Sequence, residues 1–115
     1  MNRDKDWQKF EDYIAEKLKE IDPYCKATPG SGNGNCKGDI KTNLLPLHIE
    51  CKQKTTKNIT VIMDVWDKLC AEIPLHVDKL PVYCLEQKDK RRFAVLDLDD
   101  FLTMYVEYWK LKNGE

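Results

Sequence analysis

The sequence predicts an α/β fold, a single domain over residues 1–115 in which helices flank a central mixed β-sheet in the order αββαββα. Three observations lead to it. Apolar residues recur at helical spacing in three separate segments. The segments between them alternate apolar with polar side chains or form short β-rich runs. A chain of 115 residues with 42% hydrophobic content can build one compact core and has little room for a second.

The first helix is predicted over Lys5–Ile21, where Trp7, Phe10, Ile14, Leu18 and Ile21 make an apolar stripe, Asp4 or Asp6 can cap the start, and Pro23 ends the run. Thr28 to Asn35 (TPGSGNGN) holds too much glycine and asparagine for a helix or a central strand and reads as a flexible loop. Asp39–Thr42 and Pro46–Gln53 then read as a β-hairpin turned near Asn43. In its second strand Leu47, Ile49 and Cys51 alternate with His48, Glu50 and Lys52, so the polar set shares one face of the sheet. A helix from about Thr60 to Ile73 carries Ile62, Val65, Trp66, Leu69, Cys70 and Ile73 at the 3.6-residue period and stops at Pro74. Leu80–Leu85 and Phe93–Leu96 read as strands joined by the polar turn Gln87–Arg92. Asp97 or Asp99 caps a last helix whose stripe is Phe101, Leu102, Tyr105 and Trp109. Trp66, Tyr105 and Trp109 are expected to pack into the core rather than stack on bases.

No run approaches 18 apolar residues, and the chain opens on Asn2, Arg3, Asp4, Lys5 and Asp6, so the reading is a soluble cytoplasmic protein without a membrane partner. Five cysteines leave one unpaired in any disulfide scheme, and none stands in a CxxC pair or at zinc-finger spacing; reduced thiols are expected. The net charge of −1 hides an uneven distribution. Residues 26–57 carry Lys26, Lys37, Lys41, Lys52, Lys54 and Lys57 against Asp39 and Glu50, a net +4, while the flanks carry −2 and −3. Such a segment suits a phosphate-contacting surface and equally a solvated lysine-rich loop. The glycines match neither GxxxxGK[ST] nor GxGxxG and follow a helix rather than a strand, which argues against a nucleotide cofactor.

The residues with chemistry lie in the predicted hairpin. Asp39 opens one strand, and Glu50-Cys51-Lys52 lies in its neighbour. Two carboxylates are hard oxygen ligands for Mg²⁺, which binds one or two of them together with substrate phosphate. The metal activates water and polarises the phosphoryl oxygen, while a lysine on the same face orients the water or offsets developing charge. Glu-x-Lys alone is weak, since Glu and Lys alternate on many exposed strands. Here the context is fuller: a glycine-rich loop, Gly38-Asp39 opening a strand, Glu-x-Lys eleven residues on, and a helix after it.

In this order of elements the chain resembles the PD-(D/E)XK nuclease superfamily, and within it the small Holliday-junction resolvases and their phage-encoded relatives. The matching positions are Glu11 on the leading helix, Ser31-Gly32 in the loop, Asp39, and Glu50-Cys51-Lys52. The resemblance implies a restriction-endonuclease-like fold, a prokaryotic or phage origin, and a Mg²⁺-dependent endonuclease that also accepts Mn²⁺ and works as a homodimer on branched or structured DNA. It implies that Asp39, Glu50 and the backbone carbonyl of Cys51 bind the metal, that Glu11 joins directly or through water, and that Lys52 is catalytic. Ser31 would touch phosphate, with Lys26, Lys37 and Lys54 as further DNA contacts. By spacing alone Glu11 is a boundary residue of its helix, Ser31 a turn residue, and His48 a neighbour at the edge of the site. Gly38 replaces the name-giving proline, and lysines replace the arginines expected near the loop, so phosphate contacts lose bidentate geometry. The alternatives are a nicking or restriction-like nuclease on duplex DNA and, in a different class, a non-catalytic DNA- or protein-binding module.

Overall fold

Helix α1 (Asp6–Leu18) starts one residue after the predicted Lys5, which takes the cap position and donates its N–H to Gln8 Oε1 at 3.2 Å. Asp6 is the first helical residue, where its charge favours the amide end of the helix dipole. The computed structural model of the protein describes residues 5–28, 40–55 and 58–114, so Asp4 lies outside them. The buried side of α1 is formed by Gln8, Phe10, Glu11 and Ala15 with Ile14 and Leu18 beside them, while Trp7 is 38% exposed. The helix also ends three residues before Ile21, which faces solvent, and the Asp22 N–H returns to the Leu18 carbonyl at 2.8 Å.

Asp22 explains why the chain turns there. Its side chain is fully buried, and Oδ2 accepts hydrogen bonds from the backbone N–H groups of Asn43, Leu44 and Leu45 at 2.7, 2.9 and 3.3 Å. One carboxylate thus closes the connection between two strands some twenty residues further on. Burial acts most strongly on this carboxyl and raises its pKa, but donation from Leu44, Asn43, Leu45 and Tyr24 outweighs it, and the pKa lies below the ordinary aspartate value. A depressed folded-state pKa stabilises the fold above the unfolded value of about 3.9, and the contribution disappears as pH falls through the lower folded value. Asp22→Asn should therefore lower the melting temperature at pH 7 and flatten its decline between about pH 4 and pH 2. Melting curves across that range test it, and parallel curves for the two proteins would refute it.

Among the described residues the sheet has five strands in the order β1 (Lys26–Ala27), β2 (Ile40–Lys41), β3 (Leu47–Lys54), β4 (Leu80–Gln87) and β5 (Arg92–Val95). Neighbours are antiparallel except β3 and β4, which run parallel from Leu47↔Leu80 to Lys54↔Gln87. A parallel pair needs a crossover, and α2 (Met63–Ala71) lies within it. With α3 (Leu98–Lys112) the observed order is αβββαββα. The difference from the predicted order is β1, whose two residues are too few to show a period and whose pairing depends on a strand thirteen residues away. Helix α2 is shorter than its predicted span because Ile62 is extended and serves as the cap.

Strand alternation divides the core in two. Ile40, Ile49 and Cys51 join Phe10, Ala15 and Cys25 beneath α1. Tyr83 and Leu85 join Leu69 beneath α2, with Val65 and Trp66 packed around them. On the α1 side β4 also carries Glu86, 2% exposed. Its carboxylate accepts from Gln53 Nε2 at 2.6 Å and Arg92 Nε at 2.8 Å, and the Arg92 guanidinium lies 4.1 Å from the Tyr13 ring centroid. Gln53 therefore holds strands together. The β4–β5 turn passes through Lys90 in the left-handed region at φ 72°.

Helix α3 is capped as expected, Asp97 accepting from the Asp100 N–H at 3.2 Å. The expectation that Tyr105 and Trp109 pack into the core is not met: no residue of α3 is buried. Periodicity identifies an apolar face without identifying what covers it.

Candidate functional site

Glu50, Cys51 and Lys52 lie in the middle of β3, paired with Tyr83, Cys84 and Leu85 of β4, while β2 pairs with β3 at the neighbouring Ile49. Because Ile49 and Cys51 point into the core beneath α1, Glu50 and Lys52 point to the other face, toward α2. The parallel register confirms the side: Glu50 stands beside Tyr83, which belongs to the α2 core. Burial, and then the charge of Glu50, push the Tyr83 phenol above its ordinary pKa. Lys52 Nζ lies 3.6 Å from Glu50 Oε1; the lysine side chain is half exposed and the glutamate 21% exposed. The pair is thus open to solvent on a rigid strand. A partly exposed ion pair contributes little to stability, so stability does not explain it.

Further cations share this face: Lys54 at the end of β3, by the same alternation, and two on the neighbouring strands. Lys26 and Lys41 are cross-strand partners in the β1–β2 pairing, and the next pair, Ala27↔Ile40, continues to Ile49 in β3. Ile40 and Ile49 are buried beneath α1, so alternation sends Lys26 and Lys41 to the opposite side, with Glu50 and Lys52. Both are exposed. Like charges directly opposite one another destabilise a sheet, and an anionic partner removes that cost. Lys41 is the residue that sequence reading left out of the site. The charge run contained it, but only the β1–β2 register places it opposite Lys26.

Glu11 is 2% exposed. It is not a solvent-facing boundary residue but belongs to the buried side of α1, the helix that packs on β1 and β3. It therefore approaches the sheet from the α1 side, whereas Glu50 and Lys52 point to the α2 side. Lys54 ends β3 and is half-buried. Ser31, Lys37, Gly38 and Asp39 lie outside the described residues, as does most of the glycine-rich loop. Among the described residues, no group of three or more His, Cys, Asp or Glu side chains forms a metal-binding cluster. Glu50 and the Cys51 backbone offer hard oxygen donors, the class that Mg²⁺ takes.

His48 is buried, and its Nε2 lies 2.9 Å from Glu72 Oε1 at the end of α2. This contact ties the start of β3 to the crossover helix and gives His48 a structural position at the edge of the site. Beside it opens a cavity of about 430 Å³ whose lining includes Thr28, Lys41, His48, Glu72 and Lys79. Cys25, Cys51, Cys70 and Cys84 are free thiols. Cys51 and Cys84 are register partners on β3 and β4, and the hydrogen bond with Cys51 lowers the Cys84 pKa despite burial. No helix among the described residues is long and apolar enough to cross a membrane.

Comparison of the chain with protein-family models, curated proteins and solved structures finds no match.

Proposed function

We propose that the protein is a Mg²⁺-dependent DNA endonuclease with a restriction-endonuclease-like fold of the PD-(D/E)XK type, acting on branched or otherwise structured DNA. The observation that supports it best is the sharing of one sheet face by Lys26 and Lys41, paired across β1 and β2, and by Glu50 and Lys52, further along β3. Two cations can hold phosphates while a carboxylate and a lysine stand where chemistry is needed. Asp39 is the other carboxylate of the proposal. It lies outside the described residues; its sequence neighbour Ile40 is in register with Ile49, the neighbour of Glu50.

In this reading Asp39, Glu50 and the Cys51 carbonyl hold the metal. Bound there, Mg²⁺ would polarise the phosphoryl oxygen and lower the pKa of the attacking water. Lys52 orients the water and offsets charge on the phosphate as the in-line displacement proceeds. Its Nζ is close enough to Glu50 to be held by it, yet exposed enough to meet substrate. Glu11 lies across the sheet from this pair and is not one of the ligands in this reading; Ser31, Lys37 and Lys54 contribute further DNA contacts. Lysines bind phosphate as point charges without the geometric selectivity of arginine, so base sequence is read weakly in this proposal.

The direct test is incubation of the purified protein with a four-way junction and with linear duplex, in Mg²⁺ or in EDTA. Metal-dependent junction cleavage supports the proposal. Equal cutting of duplex favours a nicking or restriction-like enzyme. Absence of both cleavage and calorimetric Mg²⁺ or Mn²⁺ binding favours a non-catalytic module. Independently, the Lys26→Ala/Lys41→Ala protein should bind DNA more weakly, with the slope of log affinity against log salt reduced by roughly 2, about 0.9 for each lost phosphate contact. An unchanged slope would remove these lysines from the interface.

A further inference from the structure

Among the described residues, helix α3 is an amphipathic helix that packs extensively on no other element. Its six largest central side chains, Phe101, Leu102, Met104, Tyr105, Tyr108 and Trp109, are each between 42% and 53% exposed. None of its residues is buried, and it makes no extensive contact with another element among the described residues. The apolar side chains of α3 leave on the order of 800 Å² in contact with water, more than the roughly 300–600 Å² of the largest patch on most monomers. It is close to what each partner contributes to a standard protein interface, about 800 Å².

The charges on the helix indicate the occupant. On the broad apolar side, with Leu98, Phe101, Tyr105 and Tyr108 spaced as a heptad seam, the charged residues are Asp97 at the start and Lys112 at the end. The flanks repeat the polarity, with Asp99 and Asp100 in the first turn and Lys110 in the last. Such a helix complements a reversed copy of itself. A two-fold axis at Tyr105 sets Phe101 against Trp109 of the other copy and brings Lys112 beside the acidic start of the other helix. It also opposes the two helix dipoles. A parallel arrangement would bring like charges together at both ends.

We propose that α3 is the surface through which two copies of this chain associate, as an antiparallel helix pair about a two-fold axis at Tyr105. The contact is isologous, as closed dimers require. It does not depend on the nuclease reading, and each can fail without the other.

Two measurements test it. Sedimentation equilibrium of the full chain should show a dimer at micromolar concentration. The Tyr105→Glu/Trp109→Glu protein, changed at half-exposed positions, should be monomeric, with dissociation constant raised at least about 100-fold. The orientation is read on the unmodified protein with a carbodiimide, which joins amine to carboxylate without a spacer. Within one helix Lys112 stands about 22 Å from Asp97 at 1.5 Å per residue, too far for such a link. Antiparallel pairing therefore predicts links from Lys110 or Lys112 to Asp97, Asp99 or Asp100, found between isotopically distinct chains in a mixed sample. A monomer at about 100 µM, a dimer untouched by the double substitution, or no such links within a dimer would each overturn the proposal.

Discussion

Glu50→Gln should reduce Mg²⁺-dependent cleavage of a four-way junction by roughly 10²- to 10³-fold, the effect of removing one essential charge-stabilising group from an active site. The substitution keeps the size of the side chain and removes the negative charge that a divalent cation needs. It sits on a strand paired with β4 along its whole length and with β2 at the neighbouring Ile49, so the backbone has no reason to move. An internal reporter separates lost chemistry from lost fold. The Tyr83 phenol, raised by burial and by the charge of Glu50, should titrate lower in the variant but still above an exposed tyrosine. Phenolate absorbance reads this directly. Cleavage undiminished in Glu50→Gln, with the Tyr83 shift present, would rule out the proposed centre. Lys52→Ala should lose rate more than DNA affinity, because the proposed mechanism gives it a role in the transition state.

The second large effect falls on stability. Glu86→Ala should destabilise the protein by about 2–3 kcal/mol, below the 3–5 typical of a broken buried pair because the Arg92 side chain is 40% exposed and water can reach it. Glu86 binds Gln53 of β3 and Arg92 of β5, so its loss releases both neighbours of β4. Arg92 would also lose the anchor that holds it over Tyr13. Glu86→Gln keeps the shape and some hydrogen bonding and should cost about 1 kcal/mol. Urea unfolding measures both, and a loss below about 0.5 kcal/mol for Glu86→Ala would show that water replaces the network fully.

These residues differ in how far sequence alone reveals them. Glu50 and Lys52 were legible because a strand has a period of two and their apolar neighbours Leu47, Ile49 and Cys51 mark the buried side. Glu86 was not. The predicted strand stopped at Leu85, and the polar stretch Gln87–Arg92 read as the turn after it. The strand continues to Gln87 because Glu86 meets Gln53 and Arg92, thirty-three residues before it and six after. Asp22 is similar: its partners are backbone amides of residues 43–45, which no local pattern announces. Lys41 stood in a visible basic run, but its position opposite Lys26 is a matter of register.

By itself the sequence determined the three helices, the main strands, and the sharing of one face by Glu50 and Lys52, since all of these follow from the spacing of side chains along a local backbone. Tertiary structure decided what spacing cannot encode. It added β1 to the sheet, turned Glu11 into the protein, sent His48 to Glu72 and Gln53 to Glu86, and put Lys26 and Lys41 on the same sheet face as Glu50. It also left the apolar face of α3 in water, because periodicity fixes which side of a helix is apolar, whereas burial depends on whether another surface arrives to cover it.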